Sequence, residues 1–161
     1  NLKSYKKSLL SNSNPYTPAV NLVFALDEAL KMMREEGLDN IFIRHEKHKS
    51  AISNAMKALN LKLFADEKYL SPSITAISTE EFNAEEFRKA IKNKFDILLA
   101  GGQDHLKGKI FRVGHLGYVN DRDIITVISA IGNELLDLGK VTSAEAGEAL
   151  VVASKYLKRM S

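Results

Sequence analysis

The stretch "KGKIFRVGHLGYVNDRD", residues 107 to 123, sets a permanent cation inside an apolar run. Arg112 is flanked by Ile110, Phe111 and Val113, which read as a buried or half-buried strand, and glycines follow at 114 and 117. A guanidinium there has two uses. It can fork onto a substrate carboxylate through two parallel hydrogen bonds, a geometry that suits arginine and not lysine. It can equally sit in an internal ion pair, with Asp104, Asp121 or Asp123 as partners, and pattern alone leaves both readings open.

"NPYTP", residues 14 to 18, offers a second possibility. Thr17 is a good N-cap and Pro18 a good first helical residue. A helix beginning there directs free N–H groups and a partial positive charge at whatever lies before Thr17, an arrangement suited to phosphate. Thr-Pro is also how many helices simply start, and on this pattern alone the plain helix start is favoured. His45 and His48, in "RHEKH", stand three residues apart, a spacing that could hold a metal on a helix. They do not spell HExxH, no third ligand is evident, and one half-buried and one solvated histidine is the expected arrangement. Gly101, Gly102, Gly108, Gly114 and Gly117 form neither GxGxxG nor a Walker loop and imply tight turns. No Ser-His-Asp arrangement emerges from spacing.

These residues need a scaffold, and composition says which kind. The chain has 161 residues, 45% hydrophobic and 27% charged, enough for one folded domain with a core. Net charge is +3 without a dense basic cluster or RNP-like aromatic motif, so nucleic acid is not an expected partner. There is no cysteine, which excludes disulfides, thiolate zinc sites, iron–sulfur clusters and cysteine nucleophiles from these residues. No apolar run approaches a membrane span and no signal-peptide pattern opens the sequence, so a cytoplasmic location is expected. Residue 1 is Asn, and "NLKSYKKSLL" reads as the interior of something longer.

Periodicity supplies the elements. Val20, Val23, Leu26, Leu30 and Met33 recur at helical steps, with Gly37 as the stop and Leu38 suiting a Schellman-type end. Ile41, His48, Ile52, Met56 and Leu59 mark a second helix. Short strands are expected over 61–65, 73–78, 97–100 and 110–113. Between them Asn83 caps a helix, with Glu86 completing a capping box and Phe82 and Phe87 placed as a hydrophobic staple. Asn120 or Asp121 starts a further helix, with Ile124, Ile128, Ile131, Leu135 and Leu138 inward and Gly139 at its end. Thr142 and Glu145 box a last helix running to about Arg159. The expected fold is α+β, a small antiparallel or mixed sheet covered by helices.

At "GGQDHLKGKIFRVGHLGYVNDRDI" the sequence resembles the C-terminal part of class V aminotransferases, the alanine–glyoxylate and serine–pyruvate branch of the pyridoxal-phosphate enzymes. Members carry a GG…GK…RIGHMG-like run followed by a helix that starts near an acidic residue. "NPYTPAVNLVFALDEALKMMREEGLDNIFIRHEKH" resembles the segment that follows their cofactor lysine, and the likeness runs from about Pro15 to Lys158. It implies that Arg112 binds the carboxylate of the amino or keto acid. It implies that Thr17 reaches the cofactor phosphate of the neighbouring subunit of a homodimer. Asn14 stands where some relatives have a tyrosine that also contacts that phosphate. The Schiff-base lysine, the aspartate on the pyridine nitrogen and the ring-stacking aromatic would all precede Asn1. On this reading residues 1–14 connect from a large domain, 15–161 form the C-terminal small domain, and the chain alone does not transaminate.

Two other classes stay in view. One is a stand-alone interaction or regulatory domain of the same fold. The other is a lyase related to cysteine desulfurases, which the missing cysteine disfavours. Some family members carry the label of a soluble hydrogenase subunit, and nickel–iron or iron–sulfur chemistry needs thiolates that are not in these residues.

Overall fold

A computed structural model describes residues 1–158. The chain divides into two compact units, Asn1–Ile41 and Phe42–Ser161.

In the first unit, α1 spans Leu2–Leu9 and α2 spans Val20–Glu36. Helix α1 has no counterpart in the sequence reading. Tyr5 on it meets Tyr16 edge-on, ring centroids 6.3 Å apart. Helix α2 begins later than "TP" suggests. Ala19 has φ −77° and ψ 64°, and the Val20 N–H bonds to the Pro18 carbonyl at 2.9 Å, an inverse γ-turn. That turn spends the first donor and delays the helix, so Ala19 is the N-cap and neither Thr17 nor Pro18 belongs to the helix. The apolar stripe of α2 stays outside: Val23 is 63% exposed and Leu26 58%.

Gly37 ends α2 with φ +82° and a bond from its N–H to the Met33 carbonyl. Its ψ of 136° is not the left-handed turn of a Schellman end, because α3, Leu38–Ala58, starts at once and its Ile41 N–H takes the Gly37 carbonyl.

The second unit holds a four-stranded antiparallel sheet. Its strands are β1 (Lys62–Leu63), β2 (Ile74–Ser78), β3 (Ala100–Gly101) and β4 (Ile110–Gly114), in spatial order β1-β2-β4-β3. Helix α4 (Ala84–Phe95) connects β2 to β3, and α5 (Asp121–Asp137) and α6 (Ser143–Leu157) follow β4. The α+β class is as expected. One face of the sheet is core: Ile77, Phe111 and Val113 are buried with Phe87 and Ile91 of α4, Ile52 and Met56 of α3, and Ile128 and Ile131 of α5.

The caps explain the helix ends. Asn83 accepts from the N–H groups of Glu85 and Glu86, and Phe82 stacks on Phe87 at 5.0 Å. Among the described hydrogen bonds there is no return bond from Glu86 to the Asn83 N–H, so the expected box is a one-way cap. Asn120 boxes α5 with Asp123, and Thr142 boxes α6 with Glu145. At the end of α5, Lys140 N–H reaches Leu135 carbonyl and Gly139 N–H reaches Leu136 carbonyl, a Schellman pair with Gly139 at φ +66°. Leu138, expected inward, is 46% exposed, because the chain has begun to turn there. Helix α6 ends at Leu157 with Lys158 as its cap, and Arg159, near which the end was expected, lies outside the described residues.

Candidate functional site

Arg112 is the third of five residues in β4, so it lies in the strand's middle and not at its end. Alternation turns Phe111 and Val113 into the core and Arg112 to the opposite face. Its register partners on that face are Ala76 of β2 and Ala100 of β3. Two alanines beside a long side chain leave the half-buried guanidinium uncovered. Its Nε donates to the Gly101 carbonyl at 2.9 Å.

The internal ion pair that pattern left open does not form. No acidic side chain of the described residues pairs with Arg112. Asp121 is engaged by Lys47 Nζ and His48 Nε2, each at 2.9 Å. Asp123 accepts from the Asn120 N–H in the α5 cap. Asp104 opens a short 3₁₀ turn, Asp104–Leu106.

The loop after β4 is tied on two sides. His115 is fully buried, its N–H on the Ser73 carbonyl and its Nε2 3.0 Å from Thr75 Oγ1. From α3, Arg44 Nη1 donates to the Gly117 carbonyl at 2.9 Å and the Val119 carbonyl at 3.1 Å, while His45 Nε2 accepts from the Gly117 N–H. Leu116 and Tyr118 are left outward, 69% and 85% exposed.

Burial sets the titration of two histidines, His115 and His48. It pushes His115 down to about 4, against the Pro72 carbonyl, the next largest influence, and with smaller help from the positive charges of His48, His45 and Lys49. Burial also lowers His48, against the pull of Asp121. Asp121 is held below its usual range, because the bonds from Lys47 and His48 together outweigh its own desolvation. The expectation of one half-buried and one solvated histidine is corrected: His45 and His48 are both buried, at 7% and 0% exposure, because the loop and α5 cover that side of α3. Among the described residues no group of three or more His, Asp or Glu is placed to hold a metal ion. No described helix is long and apolar enough to cross a membrane.

Thr17 is exposed, two residues before the Ala19 cap, in the unit Asn1–Ile41, whereas Arg112 belongs to the other unit. Its hydroxyl lies near the start of α2, whose N-cap makes no side-chain hydrogen bond, and a hydroxyl and free N–H groups are the kind of donors a phosphate accepts from. Sequence reasoning missed Arg44 and Arg88, and it weighed His45 as a metal ligand and not as the acceptor of the Gly117 N–H. The "RHEKH" signal pointed at the right helix, but its partners lie more than 70 residues away and leave no local spacing to read.

No protein-family model matches the chain. It is 54% identical over 138 residues to the "Soluble hydrogenase 42 kDa subunit" of Anabaena cylindrica, covering 86% of this chain and 36% of the relative. It is 32% identical over 159 residues to a serine–glyoxylate aminotransferase of Arabidopsis thaliana, covering 98% of this chain and 38% of the relative. Among solved structures, a ureidoglycine–glyoxylate aminotransferase from Bacillus subtilis superposes with a TM-score of 0.82 at 28% identity, over 90% of this chain and 38% of that one. The chain spans a little over a third of the length of the curated relatives it matches.

Proposed function

We infer that this chain, which belongs to the class V aminotransferases, is the C-terminal domain of an enzyme that moves an amino group from a small amino acid, alanine or serine, to a keto acid such as glyoxylate or pyruvate. The observation that carries this reading is Arg112: a half-buried guanidinium on the open face of the sheet, flanked by alanines, with no acidic partner among the described residues. A cation so placed is neutralised by a ligand carboxylate, and its planar fork orients that ligand.

Pyridoxal phosphate, when bound, supplies the electron sink for the substrate's α-carbon. This chain's part is narrower. Arg112 grips and aligns the substrate carboxylate, and Thr17 offers its hydroxyl to the cofactor phosphate across a homodimer interface. The lysine that carries the cofactor belongs to the part of the enzyme outside these residues, so the chain alone is inactive. The hydrogenase name belongs to the relatives that bear it, and the 161 residues of this chain, which have no cysteine, do not themselves supply the thiolates of a nickel–iron or iron–sulfur centre.

The test is Arg112→Lys in the intact enzyme. It keeps the charge and removes the fork, so KM for the amino donor should rise about tenfold or more while cofactor absorbance stays unchanged. Unchanged substrate affinity would refute the assignment. A native polypeptide far heavier than 17.9 kDa is expected from the same reading.

A further inference from the structure

We propose that Arg88 is a positioning residue for Arg112, acting through the edge strand β3 so that Arg112 meets a carboxylate with both terminal nitrogens. The inference rests on the reading of Arg112 as the carboxylate anchor. Strand β3 has two residues and lies at the sheet's edge, paired to β4 on one side alone. So short an edge strand has little hold of its own. Arg88 of α4 supplies the hold: its Nε donates to the Leu99 carbonyl at 2.7 Å, and its Nη1 contacts both carboxylate oxygens of Glu85 at 2.8 Å.

Gly101 is what lets this pair lie against the strand. A Cβ there would overlap Arg88 Nη1 and Glu85 Oε1. Gly101 pairs with Phe111, which faces the core and α4, while Arg112 projects from the other face and pairs with Ala100. The Gly101 carbonyl then takes Arg112 Nε at 2.9 Å. So Arg88 fixes β3 from the helix side, and β3 fixes Arg112 on the open side.

The consequence is chemical. With Nε committed to a backbone carbonyl, the guanidinium's remaining fork is the Nη1–Nη2 edge, which suits end-on engagement of a carboxylate. If β3 shifts, that carbonyl moves, the fork rotates, and carboxylate affinity falls while the reacting groups are untouched.

The test uses the intact enzyme, with L-serine and glyoxylate as substrates. Glycolate serves as a non-reacting probe that carries the carboxylate but neither amine nor carbonyl. Arg88→Ala should raise KM and the glycolate Kd about three- to tenfold, with kcat changed less than about twofold and the cofactor spectrum unchanged. In a cycle with Arg112→Ala, adding Arg88→Ala should weaken glycolate no further, because the effect runs through Arg112. The proposal is overturned if Arg88→Ala leaves the glycolate Kd unchanged, or weakens it as much when Arg112 is already gone. Should Arg88→Ala not fold, Gly101→Ala disturbs the same contact at side-chain ends that can swing away, and must show the same dependence on Arg112. If Arg112→Ala alone leaves glycolate binding intact, the carboxylate-anchor reading itself fails.

Discussion

Thr75 Oγ1 and His115 Nε2 stand 3.0 Å apart with both side chains buried, joining β2 to the residue just beyond β4. The bond fixes the strand that carries Arg112 against its central neighbour. His115 Nδ1 makes no well-formed hydrogen bond, although the Pro72 carbonyl is near enough to act on the ring, so Thr75 is the side-chain partner that ties it down. Thr75→Val keeps the shape and removes the hydroxyl, leaving Nε2 of a buried imidazole unpaired. A loss of about 1–3 kcal/mol is expected in urea unfolding. An unchanged midpoint would mean that the ring finds another partner.

The same histidine makes stability depend on acid. Its folded value of about 4 lies below the unfolded value near 6.5, so the unfolded chain binds more protons as pH falls. The stabilisation is therefore fully present above 6.5 and lost as pH falls towards 4. The displacement is worth about 3 kcal/mol at most, and His48, also lowered, adds in the same direction. The charges facing His115 from α3, His45, His48 and Lys49, deepen the effect. Stability measured from pH 7 to pH 4 should fall, and the slope should be shallower in His115→Gln. Equal slopes would assign the acid sensitivity elsewhere.

Two glycines should respond oppositely to the same change. Gly139 sits at φ +66° in open space, so Gly139→Ala meets no neighbour and suffers backbone strain alone, about 1 kcal/mol destabilising. Gly147 lies inside α6, also with open space at its Cβ, so Gly147→Ala should stabilise by about 0.5–1 kcal/mol. Paired unfolding curves decide it, and two shifts of one sign would contradict the conformational argument.

Features that a residue imposes on its immediate neighbours were the legible ones. Asn83 and Thr142 cap the helices they were expected to cap, and Asn120 is the cap of the two candidates, Asn120 and Asp121, offered for α5, since a cap needs only its own side chain and the next three N–H groups. Phe82 and Phe87 staple as their spacing implied. Thr17 and Pro18 failed because one neighbouring conformation, the γ-turn at Ala19, outweighs their preference for a helix start. Strand β3 came later than the apolar run "ILL", because its position is set by pairing with Arg112 and Phe111 and by Arg88, none of which is local. At the candidate site, the oddity of Arg112 was legible in its charge. What holds it, a glycine carbonyl and a helix arginine on the far side of the sheet, has no signature in spacing.

The exposed apolar side chains of α2, Phe24 among them, give the last prediction. Phe111 is fully buried and stacks on Phe87 at 5.1 Å, whereas Phe24 on α2 is 70% exposed. Truncating Phe111 opens a cavity in a packed core and should cost about 3–5 kcal/mol. Phe24→Ser in the 161-residue chain removes little buried contact and should stay within about 0.5 kcal/mol. Urea unfolding of both variants checks this, provided the slope with denaturant is unchanged, so that midpoints report stability. A cost at Phe24 close to that at Phe111 would mean that these α2 side chains are covered in solution, and the exposure described for this unit would be wrong. The contrast also sets a reference for the intact enzyme: a larger penalty for Phe24→Ser there than in this chain measures how much of this apolar surface the rest of the enzyme buries.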